Sequence, residues 1–228
     1  RSALRRMLRR LGLADARREF RLSRLLRERG VRTTPVLAAA WSGDAEWVVS
    51  EEVAPAQPGD QWHRRQIQRG RAGRDAVRQA SRQMARLLAK LHAAGVVHRD
   101  LHCGNVLVRT DTRRPGPVLM DLHSARRRRA LSRRARAVNL AQLCCDRTPW
   151  TSRSERLRFL RDYLRFSGAG GTLRGWAWLV TFFARRHARR IEAHRDRRIS
   201  GRNRYFTHFS PAPGWQARAR VDNLLDKA

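Results

Sequence analysis

Three polar side chains at the ends of short apolar runs carry the chemistry open to this sequence. Asp100 and Asn105 lie within residues 96–108, VVHRDLHCGNVLV, and Asp121 closes the run 118–123, VLMDLH. A carboxylate and an amide that converge on one point supply hard oxygen ligands for the metal ions that neutralise phosphate oxygens. A further carboxylate beside an incoming hydroxyl can take its proton. The set predicts phosphoryl transfer, with Asp100 as the base and Asn105 and Asp121 as metal ligands. His98, His102, Cys103 and His123 are also metal-ligand types, but they lack the CxxC or HExxH spacing of a zinc site.

The order His98-Arg99-Asp100-Leu101, followed after three residues by Asn105, matches the catalytic-loop pattern of the protein-kinase fold. Asp121-Leu122-His123 stands where that fold carries Asp-Phe-Gly. Position 102 is His rather than Lys, and no Ala-Pro-Glu follows Asp121 to close a peptide-binding segment. Both departures argue against a protein substrate.

The helices and strands around these residues are legible in part. Asp15 can cap a helix running to about Arg29, with Gly30 as its stop. Leu22 and Leu26 place Glu19 at the edge of its apolar face, where a carboxylate wants a cation. Runs 36–41 and 46–53 flank Ser42-Gly43-Asp44 and read as a hairpin. Residues 54–60, with Ala54-Pro55 and Pro58-Gly59-Asp60, read as a hinge, which would leave the backbone of Glu51, Glu52 and Val53 to face an adenine ring. Residues 75–94 carry the clearest helical period, ended by Gly95. Residues 110–117 form a Pro-Gly turn, and the arginines at 126–129 are an expected anion-binding rim. Helices follow at 137–147, 154–166 and 173–199, the last beginning as an apolar core segment through Trp176, Trp178 and Phe182. The segment from Thr207 onward carries no signal.

Of the 228 residues, 51 are basic and 19 acidic, a net charge of +32, and Lys90 and Lys227 are the only lysines. Codon bias toward Arg and an anionic partner both account for this; guanidinium forks match phosphate and carboxylate geometry. The aromatics cluster in apolar runs instead of alternating with the basic residues, so no nucleic-acid partner is expected. Three cysteines, Cys103, Cys144 and Cys145, do not make a disulfide framework. The longest apolar run, 176–184, is too short to cross a bilayer, which predicts a soluble or peripheral protein. No glycine-rich loop and no lysine precede Glu19, and the chain begins with Arg, so the expectation is a kinase small lobe shortened upstream.

The loop HRDLHCGNVLV, the run DLHSARRRR, the segment ARREFRLSRLLRERGV before TTPVLAAAW and the Arg-rich C-terminal helix together resemble the bacterial lipopolysaccharide kinases, over residues 14 to about 205. The resemblance implies an α+β, protein-kinase-like, two-lobed fold, with a truncated N-terminal lobe in 1–53, a linker at 54–60 and a mostly helical C-terminal lobe in 61–228. It implies ATP with Mg²⁺, and a Kdo or heptose hydroxyl of the lipid A core as acceptor. The partners implied are an acidic glycolipid and an anionic membrane surface, with the protein cytoplasmic and peripheral at the inner face of the inner membrane. By motif match Asp100 is the catalytic base, Asn105 and Asp121 bind metal, and Glu19 is the helix partner of a lysine absent from this chain. An aminoglycoside- or choline-type phosphotransferase and an inactive pseudokinase are the alternatives.

Overall fold

A computed structural model describes residues 15–42, 45–111, 116–145, 151–200, 206–209 and 217–220. The basic stretch at 1–13, Gly43-Asp44, residues 112–115 of the Pro-Gly turn, Arg147 and Lys227 lie outside the described residues. Two compact units divide the chain, Arg1–Ala184 and Arg185–Ala228. The division falls inside the last long helix.

In the first unit, α1 spans Asp15–Glu28 and buries Leu22, Ser23 and Leu26 on one face. Asp15 is the first described residue of the helix, and the Ala16 N–H donates to Glu46 Oε2 at 2.8 Å. Gly30 ends the helix with φ 66°, the left-handed conformation a side chain resists. The strands β1, Val36–Ser42, and β2, Ala45–Ser50, pair antiparallel as the sequence predicts. The expected hinge is partly regular: β3, Ala56–Pro58, pairs antiparallel with β5, Val106–Arg109, which pairs in turn with β6, Pro117–Leu119. Gly59 already opens α2, Gly59–Gln68. Local breaker residues signalled a loop, but the strand partner lies far along the chain, where no local signal reaches.

The helix α3, Gly70–Ala93, starts before the predicted residue 75 because its first turn carries no apolar period. Gly73 packs so tightly on α2 that a Cβ there would stand 1.8 Å from the Gln66 carbonyl oxygen. Then β4, Val96–His98, pairs antiparallel with β7, Ala125–Arg127. Three helices follow: α4, Arg133–Cys145; α5, Arg153–Ser167; and α6, Leu173–Ser200. Ser152 and Glu155 form a reciprocal capping box at the start of α5. One core joins Leu26 of α1, Leu88 and Leu91 of α3, Leu101 and Leu122 of the two acidic turns, Leu140 of α4, Tyr163 of α5 and Trp176 of α6. The expectation that α6 is buried all round is corrected: Trp176 is 1% exposed, but Trp178 is 67% exposed and stacks on Phe182. In the second unit, β8, Phe206–Phe209, pairs antiparallel with β9, Ala217–Arg220.

Candidate active site

The catalytic-loop candidates sit between β4 and β5. His98 is completely buried, while Asp100 two residues later is exposed. A 3-10 turn, Cys103–Asn105, then carries the chain into β5. Asn105 folds back over it, its Nδ2 donating to the Asp100 carbonyl oxygen at 2.9 Å and to Oδ2 at 3.4 Å. Because the amide is planar, this turns the Asn105 Oδ1 away from Asp100 and leaves it as an acceptor. The Asn105 carbonyl accepts the Met120 N–H at 3.1 Å, so the β5–β6 pair carries Asp121 to the same end as Asn105. The three residues predicted from spacing are therefore gathered at one end of one small sheet.

What holds this loop was not read from the sequence. Asn139, in α4 and 2% exposed, takes both main-chain groups of His98: its Oδ1 accepts the N–H at 3.2 Å and its Nδ2 donates to the carbonyl at 2.6 Å. A helix side chain thus satisfies backbone groups that burial would otherwise leave unpaired. One turn on, Gln142 donates to the Arg99 carbonyl at 2.6 Å. Behind Asn139, His92 Nε2 donates to Oδ1 at 3.1 Å and Nδ1 accepts the Tyr163 hydroxyl at 2.8 Å. This is a neutral tautomer, and burial pushes the His92 pKa down to about 4. The signal that could have found Asn139 is an amide between Val138 and Leu140 in a helix whose Ala137, Leu140 and Ala141 are core.

The second acidic turn is braced from α1. Asp121 has φ 57°, rare for a residue with a side chain and frequent where a site demands it. The Leu122 N–H donates to Glu19 Oε1 at 3.1 Å, Arg18 Nη2 donates to the His123 carbonyl at 2.7 Å, and His98 Nε2 donates to the Met120 carbonyl at 3.1 Å. Burial raises the Glu19 carboxyl above the usual range, the nearby Asp121 charge adds to it, and the Leu122 N–H partly offsets both. The Asp121 carboxylate itself is bonded by His123 Nδ1.

Glu19 is bonded here by a backbone N–H of the Asp121 turn, and Lys90 donates to the Gly30 carbonyl. Glu51, Glu52 and Val53 follow β2 as irregular, mostly exposed chain, and the Glu51 N–H donates to the Pro35 carbonyl. In the arginine run, Arg127, Arg128 and Arg129 are exposed, but Arg126 bends back onto the carbonyls of His123 and Ala125.

The donor chemistry of Asn105 and Asp121 fits Mg²⁺, which takes a few hard protein oxygens and completes its shell with phosphate oxygens and water. Among the described residues no three His, Cys, Asp or Glu side chains are grouped to hold a metal by themselves. The site thus offers one exposed carboxylate beside two oxygen ligands, the arrangement of a phosphotransferase that shares its metal with its substrate.

The lipopolysaccharide kinase (Kdo/WaaP) family model matches residues 2–163. A solved structure of WaaP in complex with acyl carrier protein is 30% identical, with a TM-score of 0.62, and the match covers 75% of this chain and 74% of that one. No curated protein matches the chain. The chain belongs to the lipopolysaccharide kinase (Kdo/WaaP) family. It is a kinase of the lipopolysaccharide core, with a sugar hydroxyl as acceptor and ATP as the donor that family membership implies.

Proposed function

We propose that this chain transfers the γ-phosphoryl group of ATP to a Kdo or heptose hydroxyl of the lipopolysaccharide inner core, at the inner face of the cytoplasmic membrane. Asp100 orients that hydroxyl and takes its proton as the oxygen attacks phosphorus. Asn105 and Asp121 would hold Mg²⁺, which neutralises phosphate oxygens when bound. Glu19 keeps the Asp121 turn in place from α1, which with β1 and β2 is part of the small lobe of a two-lobed kinase; 61–228 is the large lobe. The net charge of +32 suits an acidic glycolipid and an anionic membrane.

The observation that carries this reading is the gathering of Asp100, Asn105 and Asp121 at one end of the β5–β6 pair. The test is Asp100→Ala in the full-length protein, assayed with ATP and a panel of lipid A-core acceptors. Turnover is expected to fall by about 10²- to 10⁴-fold; an unchanged rate would sink the assignment.

A second property follows from a cavity of about 560 Å³ behind the loop, walled by Trp62, Val77, Met84, Val106 and Phe159 with Arg78, Arg158 and Arg165 among its lining. A largely apolar, open groove rimmed by more arginines than carboxylates suits an acyl chain attached to an acidic carrier. We propose that an acyl carrier protein binds this kinase as it does WaaP. Binding measured with acylated and unacylated carrier is expected to favour the acylated form, and equal affinity would remove the cavity from the account.

A further inference from the structure

His102 makes two contacts that the mechanism above does not use. Its Nδ1 accepts the Gly104 N–H at 3.0 Å, which puts the ring proton on Nε2 when the imidazole is neutral. That Nε2 stands 3.6 Å from Asp100 Oδ2. The ring also packs against Gly104: a Cβ there would meet His102 Cε1 at 2.8 Å and Nδ1 at 2.9 Å. Gly104 does not have the positive φ that calls for glycine elsewhere in this chain, so the space it leaves is the space the imidazole occupies.

Around Asp100 the contacts fall on one edge of the carboxylate. Asn105 Nδ2 reaches Oδ2 at 3.4 Å, and His102 approaches the same oxygen. Among the described residues Oδ1 receives no hydrogen bond. Contacts of this kind are often long before substrate binds and shorten in the reacting complex.

We propose that His102 is a positioning residue for Asp100: the imidazole, seated over Gly104, holds the Oδ2 edge of the carboxylate so that Oδ1 faces the acceptor hydroxyl. This rests on the reading of Asp100 as the base. It also explains why the residue two places on has no side chain.

The test separates holding Asp100 from merely capping the turn. Asn at 102 can still accept the Gly104 N–H but is too short to reach Asp100, whereas Gln can reach Asp100 with a donor. In the full-length kinase, His102→Asn is expected to lower kcat by about 10- to 100-fold with KM for ATP unchanged, since sub-ångström misplacement of a reacting group has effects of this size. His102→Gln is expected to recover most of that loss. Gly104→Ala displaces only the far end of a flexible side chain, so it should fold normally and lower kcat as His102→Asn does, yet add nothing in a His102→Ala background.

If Asn retains activity and Gln does not, the imidazole only caps the turn and the proposal is overturned. Additive losses for Gly104→Ala and His102→Ala would overturn it as well, because Gly104 would then act by another route. Asp100→Ala in the same series keeps the two ideas apart. If it leaves turnover intact, the base assignment has failed; if it abolishes turnover while Asn and Gln behave alike, only the role of His102 has failed.

Discussion

The two acidic turns meet at one site but are braced from opposite directions. The Asp100 turn hangs from α4 and α3 through amides and an imidazole that are almost wholly buried: Asn139 is 2% exposed and His92 1%. The Asp121 turn is tied to α1 by Glu19 and Arg18, both of them partly exposed. His98 joins the two, its main chain held by Asn139 and its Nε2 by the Met120 carbonyl. Buried polar contacts are costly to break, whereas partly solvated ones exchange with water at little loss. The Asp100 turn is thus held by buried polar groups of the core, whereas the Asp121 turn is held by partly exposed side chains of a helix whose Leu22 and Leu26 belong to that same core.

The sharpest way to break this contrast is Asn139→Leu. It strands the His98 N–H, the His98 carbonyl and His92 Nε2–H in the core, and a loss of about 3 kcal/mol or more in unfolding free energy is expected from groups worth 1–3 kcal/mol each. Urea denaturation reads this directly, and a loss below about 1 kcal/mol would mean the clamp is not what holds the loop.

A pH titration of stability comes next. His92 is neutral in the folded chain down to about pH 4 but protonates near 6.5 when unfolded. The unfolded state therefore binds more protons between those values, so stability falls as pH drops from 6.5 to about 4, by roughly 3 kcal/mol in total. His92→Gln should flatten that slope. Glu19 has the opposite sign, because its raised carboxyl holds a proton in the folded state where the unfolded chain has lost it. Glu19→Gln should accordingly steepen the acid loss.

Smaller effects separate the braces further. Glu19→Ala removes the acceptor of the Leu122 N–H, and about 1–2 kcal/mol of stability should go with it. Here turnover should suffer more than stability, since the turn it orients carries Asp121; a purely structural loss with unchanged kcat would erase the contrast. Smallest is Tyr163→Phe, which deletes the hydroxyl donor to His92 Nδ1 and should cost about 1 kcal/mol with little change in turnover.

Much of the candidate site is legible in the sequence. Asp100 and Asn105 are five residues apart, so one tight turn brings them together, and the chemistry follows from types and spacing alone. The same locality made the hairpin β1–β2, the body of α3 and the stop at Gly30 readable. Glu19 was placed correctly at the edge of its helix's apolar face, but its partner was not foreseen. The strand β3 hid behind Pro and Gly, whose turn signals outweigh three residues of pairing.

The candidate site residues, the helices that repeat at 3.6 residues and the strong positive charge are all encoded within a few neighbouring positions, and a local reading reaches them. Only the tertiary structure decided what holds those groups: Asn139 grips His98 across 41 positions, Leu122 reaches Glu19 across 103, and one face of α6 turns its tryptophan outward. Such contacts depend on which elements pack together, and that outcome is settled by burial summed over the whole core, which no local pattern records.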